Sequence, residues 1–316
     1  MRSIDRRSRI FVAGHTGLIG SALVERLRAE GCERVLTRPR AELDLTDSRR
    51  VDDFFAAETP EYVFLAAGKV GGIEANRTTP ADFIHANLAM QTAVFAAAHR
   101  HRVRRLIFFG SACMYPRDCA QPMAESALMT GPVEPTSEAY AVAKLAGMAA
   151  CEAYNRQHGT RFLTVIPASV YGPHDHFDAA TAHVLGALIT KFHEAKRTGY
   201  PVEVWGTGSP RREFIHVADV VEACLLLMSV DPPATVLNLG AGDDVAIREL
   251  ATRINAIVGA NVEIHFDPSR PDGAPRKLLD SSRLRALGWV PKVSLDAGLA
   301  DTYAWYRGAA LPTGTR

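Results

Sequence analysis

The short apolar run Arg9–Ala13 (RIFVA) leads directly into Gly14-His15-Thr16-Gly17-Leu18-Ile19-Gly20. Apolar residues then recur at helical spacing over Leu18–Ala29. A strand that meets G-x-x-G-x-x-G and leaves as a helix has few structural outlets. The glycines allow a tight turn, close approach of a pyrophosphate to the backbone, and close helix–strand contact. The helix start then offers unpaired N–H groups and a partial positive charge to phosphate. Three ordinary turn glycines are the alternative. Their place between the first strand and the first helix favours a dinucleotide site instead.

The alternation continues down the chain. Strands are predicted over Arg34–Thr37, Tyr62–Ala67, Arg105–Gly110 and Phe162–Pro167, with helices over Ser48–Ala57, Phe83–His101 and Glu138–Gln157. Few polar residues interrupt FVA, VFLAA, LIFFG and LTVIP, as strands buried on both faces require. Helical crossovers between such strands predict an α/β fold, a Rossmann-type doubly wound parallel sheet. After Tyr171-Gly172-Pro173 the rhythm changes. Helices are predicted over His183–Ala195, Val217–Leu227 and Ile247–Val258, with short strands at Val202–Trp205 and Val236–Leu239. Residues 1–173 are therefore expected to form the nucleotide-binding domain. Residues 174–316 should form mainly a smaller, mixed α/β substrate-binding domain, with some segments returning to the first part and a cleft between. The final LPTGTR is expected to be a frayed tail.

Charge and composition narrow the partners. Lys and Arg number 36 against 35 Asp and Glu, a net charge of +1. That balance gives no electrostatic reason to expect nucleic acid or an anionic membrane. No apolar run approaches the ~18 residues of a membrane span. The charged MRSIDRRSR is followed by a strand, not by a signal-type apolar region. Five cysteines form no metal-binding pattern, so no metal is expected. Their sparse, odd number suits a reducing, cytoplasmic location.

The cofactor's second phosphate is decided near the end of the second strand. Arg34, Arg38 and Arg40 lie there, with no carboxylate until Glu42. Guanidinium groups suit a 2′-phosphate and favour NADP(H); a solvated arginine-rich loop is the alternative. In Asp44-Leu45-Thr46-Asp47, a carboxylate could approach the adenine, or Asp47 could cap the next helix. Tyr140 and Lys144 (YAVAK) are four apart on one helix face. An ammonium beside a phenol is expected to lower its pKa and improve it as an acid–base. Ser111 follows the strand ending at Gly110, where a parallel sheet opens into its ligand crevice. It could hydrogen-bond a carbonyl oxygen that Tyr140 protonates.

Together Gly14–Gly20, Ser111, Tyr140 and Lys144 resemble the extended short-chain dehydrogenase/reductase superfamily. The stretches KVGGI (Lys69–Ile73), NRTTPADFI (Asn76–Ile84), PMAES (Pro122–Ser126), EPTSEAYAVAK (Glu134–Lys144), YGPHDHF (Tyr171–Phe177), WGTGSPRREF (Trp205–Phe214) and PDGAPRKLLD (Pro271–Asp280) are similar to the GDP-L-fucose synthase family over nearly the whole chain. That resemblance implies conversion of GDP-4-keto-6-deoxy-D-mannose to GDP-L-fucose, by epimerisation at C3 and C5 and then NADPH reduction at C4.

The resemblance also implies roles. Tyr140 would be the acid for the C4 oxygen, Lys144 its partner and nicotinamide-ribose ligand, and Ser111 the donor to the carbonyl. Cys113 would be the epimerisation base and His183 the acid that returns a proton. On the residues alone, Cys113 reads as a small buried hydrophobe and His183 as a structural histidine. Cofactor contacts are implied for Gly14, His15, Thr16, Gly17, Leu18, Ile19, Gly20, Arg38, Phe109, Gly110, Tyr140, Lys144, Pro167, Ser169, Val170 and His183. Substrate contacts are implied for Lys191, Trp205, Arg212 and Asp272, and a homodimer for the helices near 83–101 and 138–157. Arg211, His216, Arg276 and Lys277 lie close by in sequence and read equally well as solvated. Thr16, Ala112, Ser169, Val170, Lys191 and the DAATA stretch before His183 depart from the family pattern. Two alternatives therefore stay open: a related GDP-4-keto sugar such as a 6-deoxy-heptose, or C4 reduction alone.

Overall fold

Ile10 and Val12 point into one hydrophobic core, and Phe11 and Ala13 into another. This places their strand, β1 (Arg9–Ala13), in the middle of a layered structure. The computed structural model describes residues 5–178, 182–270 and 272–310. The expected tail LPTGTR, residues 179–181 of the stretch before His183, and residue 271 lie outside the described residues.

From β1 the chain continues through α1 (Leu18–Ala29), β2 (Arg34–Leu36), α2 (Ser48–Glu58), β3 (Tyr62–Leu65), α3 (Ile73–Thr78), α4 (Pro80–Arg100), β4 (Arg105–Phe109), α5 (Glu138–His158) and β5 (Phe162–Pro167). There follow β6 (Ser169–Tyr171), α6 (Val184–Thr198), β7 (Val202–Trp205), β8 (Arg211–Arg212), β9 (Phe214–His216), α7 (Val217–Ser229) and β10 (Val236–Leu239). The chain closes with β11 (Val245–Ala246), α8 (Ile247–Val258), β12 (Ile264–Asp267), β13 (Arg276–Lys277), α9 (Ser282–Arg285) and α10 (Leu295–Ala310).

Six strands form a parallel sheet in the order β10-β5-β4-β3-β1-β2. The reversal of direction beside β1 is the doubly wound pattern read from the sequence. Leu106 and Phe108 face the core of α2, α4 and α5, whereas Ile107 and Phe109 face that of α1 and α7. Residues after 173 return to this sheet: β10 pairs with β5, setting Leu237 beside Val165, and α7 packs on α1. A third core joins α6, α8, β7, β9 and α10. Among the described residues, no helix is long and apolar enough to cross a membrane.

The differences from the sequence reading lie at element ends and in short elements. Helix α4 begins at Pro80, three residues early, because proline suits the first helical turn. Helix α6 begins at Val184, leaving His183 extended as its cap. Strands β2, β3 and β4 end one or two residues early, at Leu36, Leu65 and Phe109. Helices α3 and α10, the strand pairs β6–β9 and β12–β7, and the three-stranded sheet β11-β8-β13 were not predicted as units.

Candidate active site

The parallel sheet brings the ends of β1, β4 and β5 to one edge, and the loops there carry the implied cofactor residues. Gly14 has φ +85, and a Cβ on Gly20 would stand 2.1 Å from the Gly14 carbonyl oxygen. The backbone thus closes more tightly than any side chain would permit. Helix α1 follows Gly17 with no side-chain cap and no acidic residue in its first turn. His15, Thr16, Leu18 and Ile19 complete this loop, whose N–H groups fit a dinucleotide pyrophosphate.

At the end of β2, Arg38 donates to the Thr37 carbonyl at 2.8 Å and to Glu58 Oε1 at 2.5 Å, with its guanidinium 5.3 Å from the centre of the Phe54 ring. Arg38, Arg50 and Phe54 line a recess of about 220 Å³. Arg40 pairs with Asp44, and Arg34 is exposed. Asp47 caps α2, accepting the N–H groups of Arg49 and Arg50 at 3.0 and 3.1 Å, which settles that alternative. Glu58 was missed because helix α2 brings it back from twenty residues away.

The candidate catalytic cluster forms around Lys144 and Tyr140 of α5. Lys144 is 4% exposed and donates to the Phe109 carbonyl at 2.9 Å. Gly110 continues the sheet, donating to Val165, and Pro167, Ser169 and Val170 follow at the end of β5 and in β6. Burial pushes Lys144 down to about 8. Tyr140 is one helical turn earlier, and its ring centre lies 5.8 Å from the Lys144 ammonium. The phenol does not have the lowered pKa that its spacing from Lys144 predicts. Burial pushes the Tyr140 phenol up, helped by Cys113 and opposed by a hydrogen bond with Ser111. The Lys144 charge does not reverse this, since the ammonium is itself desolvated and engaged with Phe109. Tyr140 therefore remains a protonated phenol at neutral pH, the form a proton donor needs.

Ser111 starts a 3-10 turn, Ala112–Met114, and its Oγ accepts the Cys113 N–H at 3.3 Å. The turn sets Ser111 and Cys113 close together. Lys277 of β13 brings its Nζ to 3.9 Å from Cys113 Sγ. Burial raises the Cys113 thiol, but the Lys277 ammonium and hydrogen bonds from Ser111, Ser137 and Lys277 outweigh it and bring the thiol below its ordinary value. Lys277, which the sequence leaves equally open as a solvated side chain, thus faces Cys113, and Ser137 carries no sequence signal of its own. Arg212 pairs in register with Lys277 and lies within electrostatic reach of both Cys113 and Asp272.

The pleat sends the alternate pair elsewhere. Arg211 and Arg276 both hold the buried Asp244, as a clamp behind the site. His216 accepts the Ala218 N–H at the start of α7 and pairs with Asp301, a structural arrangement. His183 lies at the head of α6, as its extended N-cap residue. It retains accessible surface, yet desolvation by the surrounding protein and then the charge of His176 hold its imidazole below the ordinary value.

Beyond Arg212 lies a second group. Trp205 is 53% exposed, with the Lys191 ammonium 5.9 Å and the Arg270 guanidinium 4.9 Å from its ring. Such a cation-flanked indole offers a face to a base or sugar. Lys191 also donates to the Glu203 carbonyl at 2.9 Å. Asp272 accepts the Thr207 N–H and hydroxyl, each at 2.8 Å, so in this structure it shapes the turn after Trp205. Arg270, directly before the Pro271–Asp280 stretch, carried no sequence signal of its own.

The profile of the NAD dependent epimerase/dehydratase family matches residues 10–240. GDP-L-fucose synthase 1 of Arabidopsis thaliana is 50% identical over 303 residues, covering 96% of this chain and 94% of that one. A GDP-6-OMe-4-keto-L-xylo-heptose reductase from C. jejuni superposes with a TM-score of 0.92 at 36% identity, covering 98% and 100% of the two chains. A GDP-mannoheptose C4 reductase from Campylobacter jejuni, solved with NADP bound, gives 0.87 at 36% identity, covering 96% and 99%. With its glycine turn, its Ser111–Tyr140–Lys144 cluster and these likenesses, the chain belongs to the NAD dependent epimerase/dehydratase family, among the relatives of the GDP-L-fucose synthases.

Proposed function

We propose that this chain is an NADPH-dependent enzyme that converts GDP-4-keto-6-deoxy-D-mannose to GDP-L-fucose, by epimerisation at C3 and C5 and reduction at C4. The observation that carries the reading is the thiol of Cys113 beside Lys277, one short turn from Ser111 and within reach of Tyr140. A base and a carbonyl-protonating pair thus share one site.

A C4 ketone acidifies the protons on C3 and C5, because the carbanion left behind is an enolate. Cys113, whose thiolate form the Lys277 ammonium favours, removes those protons. His183 returns a proton to the opposite face; a lowered pKa makes its imidazolium the stronger acid. Ser111 and Tyr140 hydrogen-bond the C4 oxygen, and Tyr140 gives it a proton in the reduction. NADPH, when bound, supplies the hydride to C4. Lys144 would hold the nicotinamide ribose, Arg38 would meet the 2′-phosphate, and the Gly14–Gly20 turn would cradle the pyrophosphate. Trp205, Lys191, Arg212 and Asp272 receive the GDP end.

The proposed division of labour falls near residue 173, with nucleotide binding before it and sugar binding after it. We also assign the protein to the cytoplasm as a homodimer. Helices α4 and α5 pack together, and Val142 on α5 is left 41% exposed. C4 reduction of a GDP-heptose is the second reading, favoured by the likeness to the two reductases and by the departures at Ala112, Ser169 and Lys191. Incubation with NADPH and each GDP-4-keto sugar, with products identified by NMR, separates the two. GDP-L-fucose from the deoxymannose substrate is the expected result. Turnover of the heptose substrate alone would favour the second reading.

A further inference from the structure

Glu213 is a buried carboxylate that none of this chemistry uses. It sits between β8 and β9 and is only 2% exposed. Its side chain accepts two backbone N–H groups, from Gly242 at 2.7 Å and from Leu279 at 2.8 Å. Its own N–H donates to the Lys277 carbonyl at 3.2 Å, and its carbonyl accepts the Ser169 N–H at 3.1 Å. Glu213 therefore grips the chain at Lys277 and again two residues later. Between those points, Leu278 donates to Gln121 Oε1 at 2.8 Å, so the stretch is held from two sides.

A carboxylate taken out of water needs compensation. Burial and Asp244 raise Glu213 to about 7 against the backbone donors of Gly242 and Leu279 and the more distant Arg285. What the carboxylate holds is the stretch from which Lys277 reaches Cys113. Strand β13 is only two residues long and pairs with an equally short β8. Those few ladder bonds leave its register weakly specified.

We propose that Glu213 is a positioning residue: it fixes the backbone from Lys277 to Leu279 so that the Lys277 ammonium faces the Cys113 sulfur. The inference rests on the reading of Cys113 as the epimerisation base, but its test needs no sugar. The groups facing Cys113 are Ser111, Ser137, Tyr140, Arg212 and Lys277. Those facing Glu213 are Asp244 and Arg285.

The experiment is the pH profile of Cys113 alkylation by iodoacetamide in the NADPH-loaded full chain, followed by mass spectrometry of the Cys113 peptide. Glu213→Gln keeps the size of the side chain but has one acceptor oxygen for two N–H groups. Its inflection is expected to move up by about one pH unit. Lys277→Met should move it at least as far, and the double variant no further than Lys277→Met alone. Glu213→Asp keeps the charge but is one methylene short, and an intermediate displacement is expected; it serves if the Gln variant does not fold. An unchanged profile in either folded variant, or a displacement that adds to that of Lys277→Met, would overturn the proposal. Intact deuterium exchange at C3 and C5 in Cys113→Ser would instead remove the base role and leave the alkylation result standing.

Discussion

The Lys277 ammonium stands 3.9 Å from the sulfur of Cys113, although 164 residues separate them in sequence. Its positive charge favours the thiolate, the form that acts as a base. Lys277→Met should therefore slow epimerisation at neutral pH by about tenfold for each unit by which the thiol's pKa rises. Raising the pH should restore much of the lost rate. Parallel measurement of C3/C5 exchange and of C4 reduction checks this; equal losses in both would show that Lys277 serves the sugar generally.

Tyr140→Phe removes the proton donor but leaves the ring and its edge contact with Phe83. Reduction should fall by about 10²–10⁴-fold, the usual worth of general acid catalysis. NADPH affinity, measured by fluorescence, should change little. Near-normal reduction in this variant would contradict the assigned role.

Lys144 carries its charge inside the protein with one carbonyl partner. Its folded pKa of about 8 lies below the unfolded 10.5, so the unfolded chain holds more protons between those values. Stability conferred through this group should then rise as pH increases from about 8 to 10.5. Lys144→Met should abolish that rise. At pH 7 it relieves a cost of about 3 kcal/mol and loses about 2 kcal/mol with the charged Phe109 bond. A slightly more stable but inactive enzyme is expected, gaining about 1 kcal/mol in denaturant unfolding. A destabilised variant would show that the buried ammonium is better compensated than this.

Arg38 is held by Glu58 beside a recess lined by Arg50 and by the carboxylates of Glu42 and Asp53, and in the proposed reading its guanidinium meets the 2′-phosphate. Arg38→Ala should narrow the preference for NADPH over NADH by about ten- to a hundredfold, the worth of a charged hydrogen bond. Glu58→Gln should widen it, because the guanidinium no longer shares itself with a carboxylate. Binding constants for both cofactors test the pair; no change in either variant would place the 2′-phosphate elsewhere.

The sheet was legible because its strands are unbroken apolar runs buried on both faces, as in Ile10–Ala13 and Leu106–Phe109. Helix α10 was not, since Gly298 and several polar residues interrupt its apolar period. Gly298 is nonetheless required where α10 crosses Tyr171: a Cβ there would lie 2.2 Å from the phenol oxygen. Strands β8 and β13 are too short to show a two-residue period, so nothing local announced that Lys277 would face Cys113. The Tyr140 expectation failed for a related reason. Spacing revealed the neighbouring charge of Lys144, but the burial that dominates the phenol depends on the whole fold.

The central claim is that one site both inverts two carbons and reduces a third. It is tested most directly by deuterium uptake from heavy water into GDP-4-keto-6-deoxy-D-mannose with the Cys113→Ser enzyme. A hydroxyl is a far weaker base than a thiolate, while Ser111, Tyr140 and Lys144 remain in place. The account predicts no exchange at C3 or C5, together with slow NADPH-dependent reduction of the unepimerised ketone. Normal exchange at both carbons would contradict it and leave Cys113 as packing.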